Sequence, residues 1–198
     1  MNSSSILIRT AVVALAIIAA TPVQAGWKLI PANTAQPLEA MKIVPQSDWN
    51  QASRAPGRQG QMWTHDGFEL NGLELFAGVP AGQPLYRERN VKKNPMPKFD
   101  KGMLLPDLAD FFERSFRAQN QVSDFTVETT EPTMLGIVKG IALRYRYSLP
   151  GDELVRRGEV RLAIKDAKLY VVNFYAPSLH YFDAGLPEAH AIMDAARF

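Results

Sequence analysis

The stretch MLGIVKGIALRYRYSLPGDELVRRGEVRLAIKDAKLYVVNFYA, residues 134–176, decides the fold. It reads as three long β-strands, Met134–Leu149, Glu153–Ile164 and Leu169–Ala176. Pro150-Gly151-Asp152 makes the first connection and Lys165-Asp166-Ala167-Lys168 the second. The period is two. In the first strand Ile141, Leu143, Tyr145, Tyr147 and Leu149 share one face, and Ala142, Arg144, Arg146 and Ser148 the other. A helix would scatter those arginines around its axis. In the second strand Leu154, Arg156, Gly158, Val160, Leu162 and Ile164 alternate with Val155, Arg157, Glu159, Arg161 and Ala163. The third is apolar on both faces, the pattern of a strand covered from both sides. In the first turn proline fixes φ and glycine supplies a positive φ.

The covering layers follow from helical spacing. Leu108, Phe111, Phe112, Ser115 and Phe116 form an apolar stripe over Leu105–Gln119, with Pro106 in the first turn and Asp107 and Asp110 near the positive end. A second helix is expected over Leu186–Arg197, started by Pro187 and Glu188 and striped by Ala189, Ile192, Met193 and Ala196. Val122–Glu131 reads as a short strand leading into the sheet. Asp66-Gly67 is a hairpin dipeptide, followed by a strand over Leu73–Val79 with Leu73, Leu75 and Ala77 opposite Glu74 and Phe76. Gln83–Leu104 reads as a long surface loop, the most basic segment, with Arg87, Arg89, Lys92, Lys93, Lys98 and Lys101. Residues 26–60 read as an irregular arm, with a short strand at Leu38–Val44, a turn or helix start at Asp48–Gln51, and Trp27 and Trp49 capping core edges.

At 46% hydrophobic and 21% charged residues, the chain of 198 residues has the composition of an ordinary globular domain. The formal net charge of +2 carries no basic excess of the kind nucleic-acid binders show. Cysteine is absent, which removes disulfides, thiolate nucleophiles and cysteine metal ligands.

The N-terminus carries the most specific signal. Met1–Arg9 is polar with one positive charge, Ala11–Ala20 is an unbroken apolar run, and Thr21-Pro22-Val23-Gln24-Ala25 follows. This is the pattern of a secretory signal peptide over residues 1–25, cut between Ala25 and Gly26. A membrane span needs about 20 apolar residues, more than this run offers. The expected mature chain is a single α+β domain, residues 26–198, with no transmembrane segment, in the periplasm or secreted.

No catalytic motif assembles in sequence. Glycine-rich phosphate loops and the Gly-x-Ser-x-Gly elbow are missing. His190 and Asp194 stand four residues apart on the second helix without a third metal ligand; a solvated ion pair is the expectation. Ser178, His180 and Asp183 contain the residue types of a hydrolytic triad, although triads are defined by geometry and usually drawn from separate elements. One surface stands out. If the hairpin is in normal register, Arg144, Arg146, Arg157 and Arg161 form a cross-strand patch around Glu159, either a solvated face balanced by acids or a docking site for an acidic partner or lipid headgroup.

The order of these elements resembles the Mog1/PsbP-like α/β/α sandwich: a hairpin with Trp63-Thr64-x-Asp66-Gly67, a basic loop, the Phe-rich helix, a three-strand meander and a C-terminal helix. It is also similar to small exported proteins of Gram-negative bacteria. The resemblance implies an antiparallel sheet between helical layers and accessory or binding roles, in photosystem assembly or GTPase-linked nuclear transport, rather than catalysis. Neither role transfers, because no partner-binding residue can be matched and a signal peptide is incompatible with nuclear transport.

The expectation is therefore an exported, non-enzymatic binding or accessory protein of the bacterial cell envelope, without cofactor or metal, whose partner is an unknown protein or envelope component. The alternatives are an envelope hydrolase using the Ser178/His180/Asp183 region, and a periplasmic carrier of a small apolar molecule held among Phe111, Phe112, Tyr145 and Tyr175. Intact-mass analysis of the exported protein should give a chain that begins at Gly26; retention of residues 1–25 would refute the signal-peptide reading.

Overall fold

The computed structural model describes residues 26–88 and 95–198. The expected signal peptide with Ala25, and Arg89, Lys92 and Lys93 of the basic loop, lie outside the described residues.

The elements run β1 (Trp27–Ile30), β2 (Gln36–Leu38), β3 (Met41–Ile43), β4 (Trp49–Ala52), β5 (Gly60–Thr64), β6 (Gly72–Pro80), α1 (Leu105–Asn120), β7 (Phe125–Leu135), β8 (Val138–Ser148), β9 (Val155–Lys165), β10 (Lys168–Pro177) and α2 (Tyr181–Ala195). Eight strands form one sheet in the order β1-β4-β5-β6-β10-β9-β8-β7, while β2 and β3 pair separately. Every pairing is antiparallel. The fold is an α+β sandwich with a helix on each face of the sheet, as expected.

The quoted stretch does form adjacent antiparallel strands, with one correction. Met134–Leu149 is not a single strand: the chain reverses at Gly136-Ile137, where Leu135 pairs with Val138. Gly136 takes φ +55°, and its amide donates to the Met193 carbonyl at 2.8 Å. Surrounded by apolar residues, this glycine reads as strand interior, so the lead-in strand is longer than expected and the meander has four strands. The other two turns behave as their residues dictate. Gly151 sits at φ +77° with the Asp152 amide bonded to the Leu149 carbonyl at 3.1 Å, a type II arrangement with Pro150 in the position it favours. Asp166 and Ala167 both take positive φ, +51° and +59°, which matches the right-handed twist of a tight hairpin.

β10 divides the core in two. Tyr170, Val172, Phe174 and Ala176 pack with Phe182, Ala189, Ile192 and Met193 of α2 and with Leu38, Met41 and Ile43 of the small hairpin. Leu169 and Val171 face the other way, towards Leu108, Phe111, Phe112 and Phe116 of α1. Each of the buried Val, Leu, Ile, Met and Phe side chains among them contributes roughly 2 kcal/mol of transfer free energy. At the start of α1 the Asp107 carboxylate accepts the Leu104 amide at 2.8 Å, and Gln121 in the left-handed region ends the helix.

Four further expectations need correction. α2 begins at Tyr181, five residues before Leu186, and Pro187 lies inside it; proline suits a first turn, but Phe182 buried against Phe174 at 5.9 Å extends the helix past that signal. Residues 26–60 are not irregular: they supply four short strands, and Asp48–Gln51 leads into β4 rather than a helix. Part of the basic loop is core, with Leu85, Tyr86, Met96 and Phe99 buried against α1. Trp27 is 46% exposed beside Phe68, whereas Trp49 is buried.

Close packing at one glycine is testable. A Cβ on Gly158 would lie 2.2 Å from Tyr145 Cζ, and Tyr145 is held there by its hydroxyl bond to Asn173 at 2.8 Å. Gly158→Val should therefore cost roughly 1–3 kcal/mol through overpacking, read as a lower urea midpoint at unchanged slope; wild-type stability would contradict this packing.

Candidate functional site: a charged cleft beside α2

The register of β8 and β9 opposes Arg144 to Glu159, Arg146 to Arg157 and Ala142 to Arg161. Directly opposed residues share a face, so all four predicted arginines come together with Glu159 among them. This is the α2 face of the sheet. α2 lies over β10 and β9 and meets β7 at its Leu135 end, where the Gly136 amide bonds the Met193 carbonyl, and it leaves the rest of β7 and β8 open. Between the helix and those strands lies a cleft of about 240 Å³ lined by Thr129, Glu131, Thr133, Ala142, Arg144, Glu159, Arg161 and His190. Ala142, a small side chain opposite Arg161, leaves the hollow.

Glu159 is only 5% exposed and accepts from Arg144 Nε at 2.7 Å and pairs with His190 Nε2 at 2.6 Å. The Glu159 hydrogen bond is the main cause that holds the Arg144 guanidinium above its ordinary pKa. Arg161 bonds the Asp194 carboxylate at 2.5 Å and the Met134 carbonyl at 3.1 Å, while its Nε is enclosed without a partner among the described residues. Arg157 bonds Glu128 at 3.3 Å, lies 3.7 Å from Asp183 and stacks over the Phe182 ring at 4.8 Å. Arg146 is exposed and has no ion pair among the described residues. The patch exists as a geometric unit, but three of its four arginines already hold acids. His190 and Asp194 do not pair with each other; each reaches β9 instead.

The other sequence candidates separate. No hydrogen bond joins Ser178, His180 and Asp183 among the described residues: the Ser178 amide donates to the Val155 carbonyl, His180 lies exposed against Tyr181, and Asp183 faces Arg157. The reason is local, since three residues entering a helix point in different directions. Of the four residues named for an apolar carrier pocket, Tyr175 lines a small cavity and the other three do not. Phe111, Phe112 and Tyr145 are fully buried in one filled cluster, with Phe112 and Tyr145 ring centroids 5.5 Å apart. No group of three or more His, Asp or Glu side chains is placed to hold a metal among the described residues. No helix among them is long and apolar enough to cross a membrane.

A second polar cluster escaped the sequence reading. Glu188 on α2 accepts from the Ser47 hydroxyl at 2.5 Å, the Ser47 amide at 3.0 Å and Trp49 Nε1 at 3.0 Å, and its second oxygen lies 3.2 Å from His65 Nε2. The residue types are those of a hydrolytic triad, but the wiring is not. Ser47 and Glu188 both meet His65 at Nε2, and the hydroxyl proton goes directly to the carboxylate, so no imidazole is oriented to activate the serine. The cluster ties α2 to β4. With Ser47 and Glu188 separated by 141 positions, no local signal announces it.

Burial raises the Glu188 pKa, but the bonds from His65, Ser47 and Trp49 outweigh it and bring the carboxyl to about 2. A depressed folded pKa adds stability above the unfolded value, and that stability fades as pH falls through the folded one. Glu188→Gln should cost roughly 1–3 kcal/mol near neutral pH. The deficit should shrink as pH falls from 4.5 to about 2; a pH-independent difference in urea titrations would contradict the assignment.

The sequence matches no protein-family model and no curated protein. The structure is similar to the solution structure of PsbP from the cyanobacterium Synechocystis sp. PCC 6803, with TM-score 0.54, 10% identity, and coverage of 95% of this chain and 97% of that one. A crystal structure from Bacteroides thetaiotaomicron aligns over 84% of this chain and 48% of that one, at TM-score 0.49 and 9% identity. LpqN of Mycobacterium tuberculosis, described as involved in cell envelope biogenesis, aligns over 87% and 78% at TM-score 0.31 and 12% identity. The last two are too distant to carry an argument. At this level of identity the first likeness is one of architecture alone, and it supports the expectation drawn from element order: the fold is Mog1/PsbP-like.

Proposed function

We propose that residues 26–198 form a single exported domain that acts in the bacterial envelope, most simply the periplasm, as a non-enzymatic binding protein. Its contact surface is the cleft beside α2, and the group it receives is an acidic side chain of a partner protein. The observation that carries this reading is that Arg144 lines that cleft and the exposed Arg146 follows it two residues along the same face of β8. Arg144 is 44% exposed despite its bond to Glu159, and Arg146 has no acid of its own among the described residues. Thr129 and Thr133 add hydroxyls from β7.

A lipid surface suits this face less well. Glu128, Glu131, Asp183 and Asp194 stand around the same arginines. Acids and arginines are about equal in number, so the face offers no net positive field to an anionic membrane. A single carboxylate can still enter between Arg144 and Arg146, because recognition at short range depends on the nearest donors.

A photoactivatable cross-linker placed at Arg146 in cells tests this reading. It should yield a discrete protein adduct that weakens in an Arg144→Gln background and at high salt. A lipid adduct, or an adduct indifferent to Arg144→Gln, would overturn the proposal, as would recovery of the protein from the cytoplasm with residues 1–25 intact.

A further inference from the structure

The α1 face holds a second, unrelated cavity. It has a volume of about 110 Å³ and lies by the C-terminal end of α1, where Asn120 and Phe116 meet Tyr147, Arg156, Tyr175 and Glu74. Two of these residues are charges in the interior. Arg156 is 3% exposed and Glu74 4%. They come from different strands, β9 and β6, and they do not pair with each other.

Each charge is only half used. Arg156 Nη1 donates to Asp152 at 2.7 Å and to the Leu154 carbonyl at 3.3 Å. Nη2 has only Glu69 at 4.0 Å, beyond hydrogen-bonding distance, and that carboxylate is 94% exposed. Glu74 Oε2 takes both of the bonds the carboxylate makes, from Tyr86 at 2.7 Å and Asn173 at 2.9 Å, leaving Oε1 without a donor among the described residues. The Tyr147 and Tyr175 hydroxyls have no hydrogen-bond partner among them either. Among the described residues, the wholly enclosed side-chain polar atoms without partners are Ser115 Oγ and Arg161 Nε. The open atoms of Arg156, Glu74, Tyr147 and Tyr175 therefore reach the cavity they line.

We propose that this cavity binds a zwitterion of amino-acid size, with its carboxylate on Arg156 Nη2 and the tyrosine hydroxyls and its ammonium on Glu74 Oε1. Size agrees. A cavity of about 150 Å³ accepts the six heavy atoms of benzene, which scales to about four here, so glycine with its five fills the cavity to its mouth. A larger side chain would leave towards Glu69 and solvent. Charge agrees as well, because a buried cation and a buried anion with free lone pairs and protons facing one space are best satisfied by a ligand carrying both opposite charges. Burial pushes the Glu74 carboxyl above its ordinary pKa against the Asn173 and Tyr86 bonds, the condition an incoming ammonium relieves. The site lies on the opposite side of the sheet from the arginine cleft and stands or falls independently of it.

Calorimetric titration of the exported protein, purified from the periplasm, with glycine, L-alanine, acetate and methylammonium tests the proposal. The two amino acids should saturate one site. Acetate and methylammonium, each carrying half the charge pattern, should bind about tenfold more weakly or worse. Glu74→Gln keeps an acceptor for Tyr86 and Asn173, and should weaken glycine by about tenfold while sparing acetate. Arg156→Gln should weaken both; should that variant fail to fold, Glu74→Gln decides alone. Absence of saturable amino-acid binding, acetate binding as tightly as glycine, or binding unmoved by Glu74→Gln would each overturn the proposal.

Discussion

The two-sided burial of β10 is the constraint on which the molecule depends. Tyr170, Val172, Phe174 and Ala176 must be covered from one side and Leu169 and Val171 from the other. One helix cannot do both, so α1 with Leu85, Tyr86, Met96 and Phe99 covers one face and α2 with the β2–β3 hairpin the other. Close approach is set by absent side chains. Gly185 lets α2 settle on Phe174, where a Cβ would come within 2.5 Å of the ring, and Gly72 makes room for Tyr175 in the same way. The polar residue in β10, Asn173, is tolerated because Glu74 and the Tyr145 hydroxyl satisfy it from both sides. Removing any member of that chain would leave a buried group unsatisfied, which costs more than the bond itself contributes.

Much of this was legible in the residues. Alternation over 141–147 and 156–164 marks strands, the two-sided apolar run 169–176 marks an interior strand, and the spacing of Phe111, Phe112 and Phe116 marks the helix that covers it. The failures have physical causes. Gly136-Ile137 turns without an Asn or Asp to advertise it. Pro187 carries the signal of a helix start and sits mid-helix because tertiary contacts of Phe182 outweigh the missing amide. The strands of residues 27–52 are three or four residues long, too short for a period to show. The arginine row was readable from alternation, since register follows from parity. Its partners were not: Asp183, His190 and Asp194 come from α2, and their approach to β9 is a tertiary fact.

That approach explains how a charged row can lie partly beneath a helix. Along β9 the side chains on this face run Arg157, Glu159, Arg161, spaced by about 6.6 Å. Along α2 they meet Asp183, His190 and Asp194 in the same order. His190 and Asp194 are one helical turn apart, about 6 Å, close to the strand repeat, so both contacts are short. Asp183 lies seven residues before His190, about 10.5 Å, which overshoots one strand step, and its contact with Arg157 is the loosest of the three at 3.7 Å. The best-matched end of the ladder is therefore the C-terminal end of α2.

The alternation of sign makes this ladder a device for register more than for stability. Ion pairs with one partner largely in water return little net free energy, so apolar side chains here would hold α2 at least as firmly. A sliding helix is a different matter. If α2 moved by one strand step, Asp194 would face the buried Glu159 and His190 would face Arg157 or Arg161, placing like charges, or an imidazole and a guanidinium, in contact. An apolar face has no such penalty for slippage. The position of α2, and with it the width of the cleft between the helix and Arg144, is thus fixed by charges that must match in sequence along two elements running in the same direction.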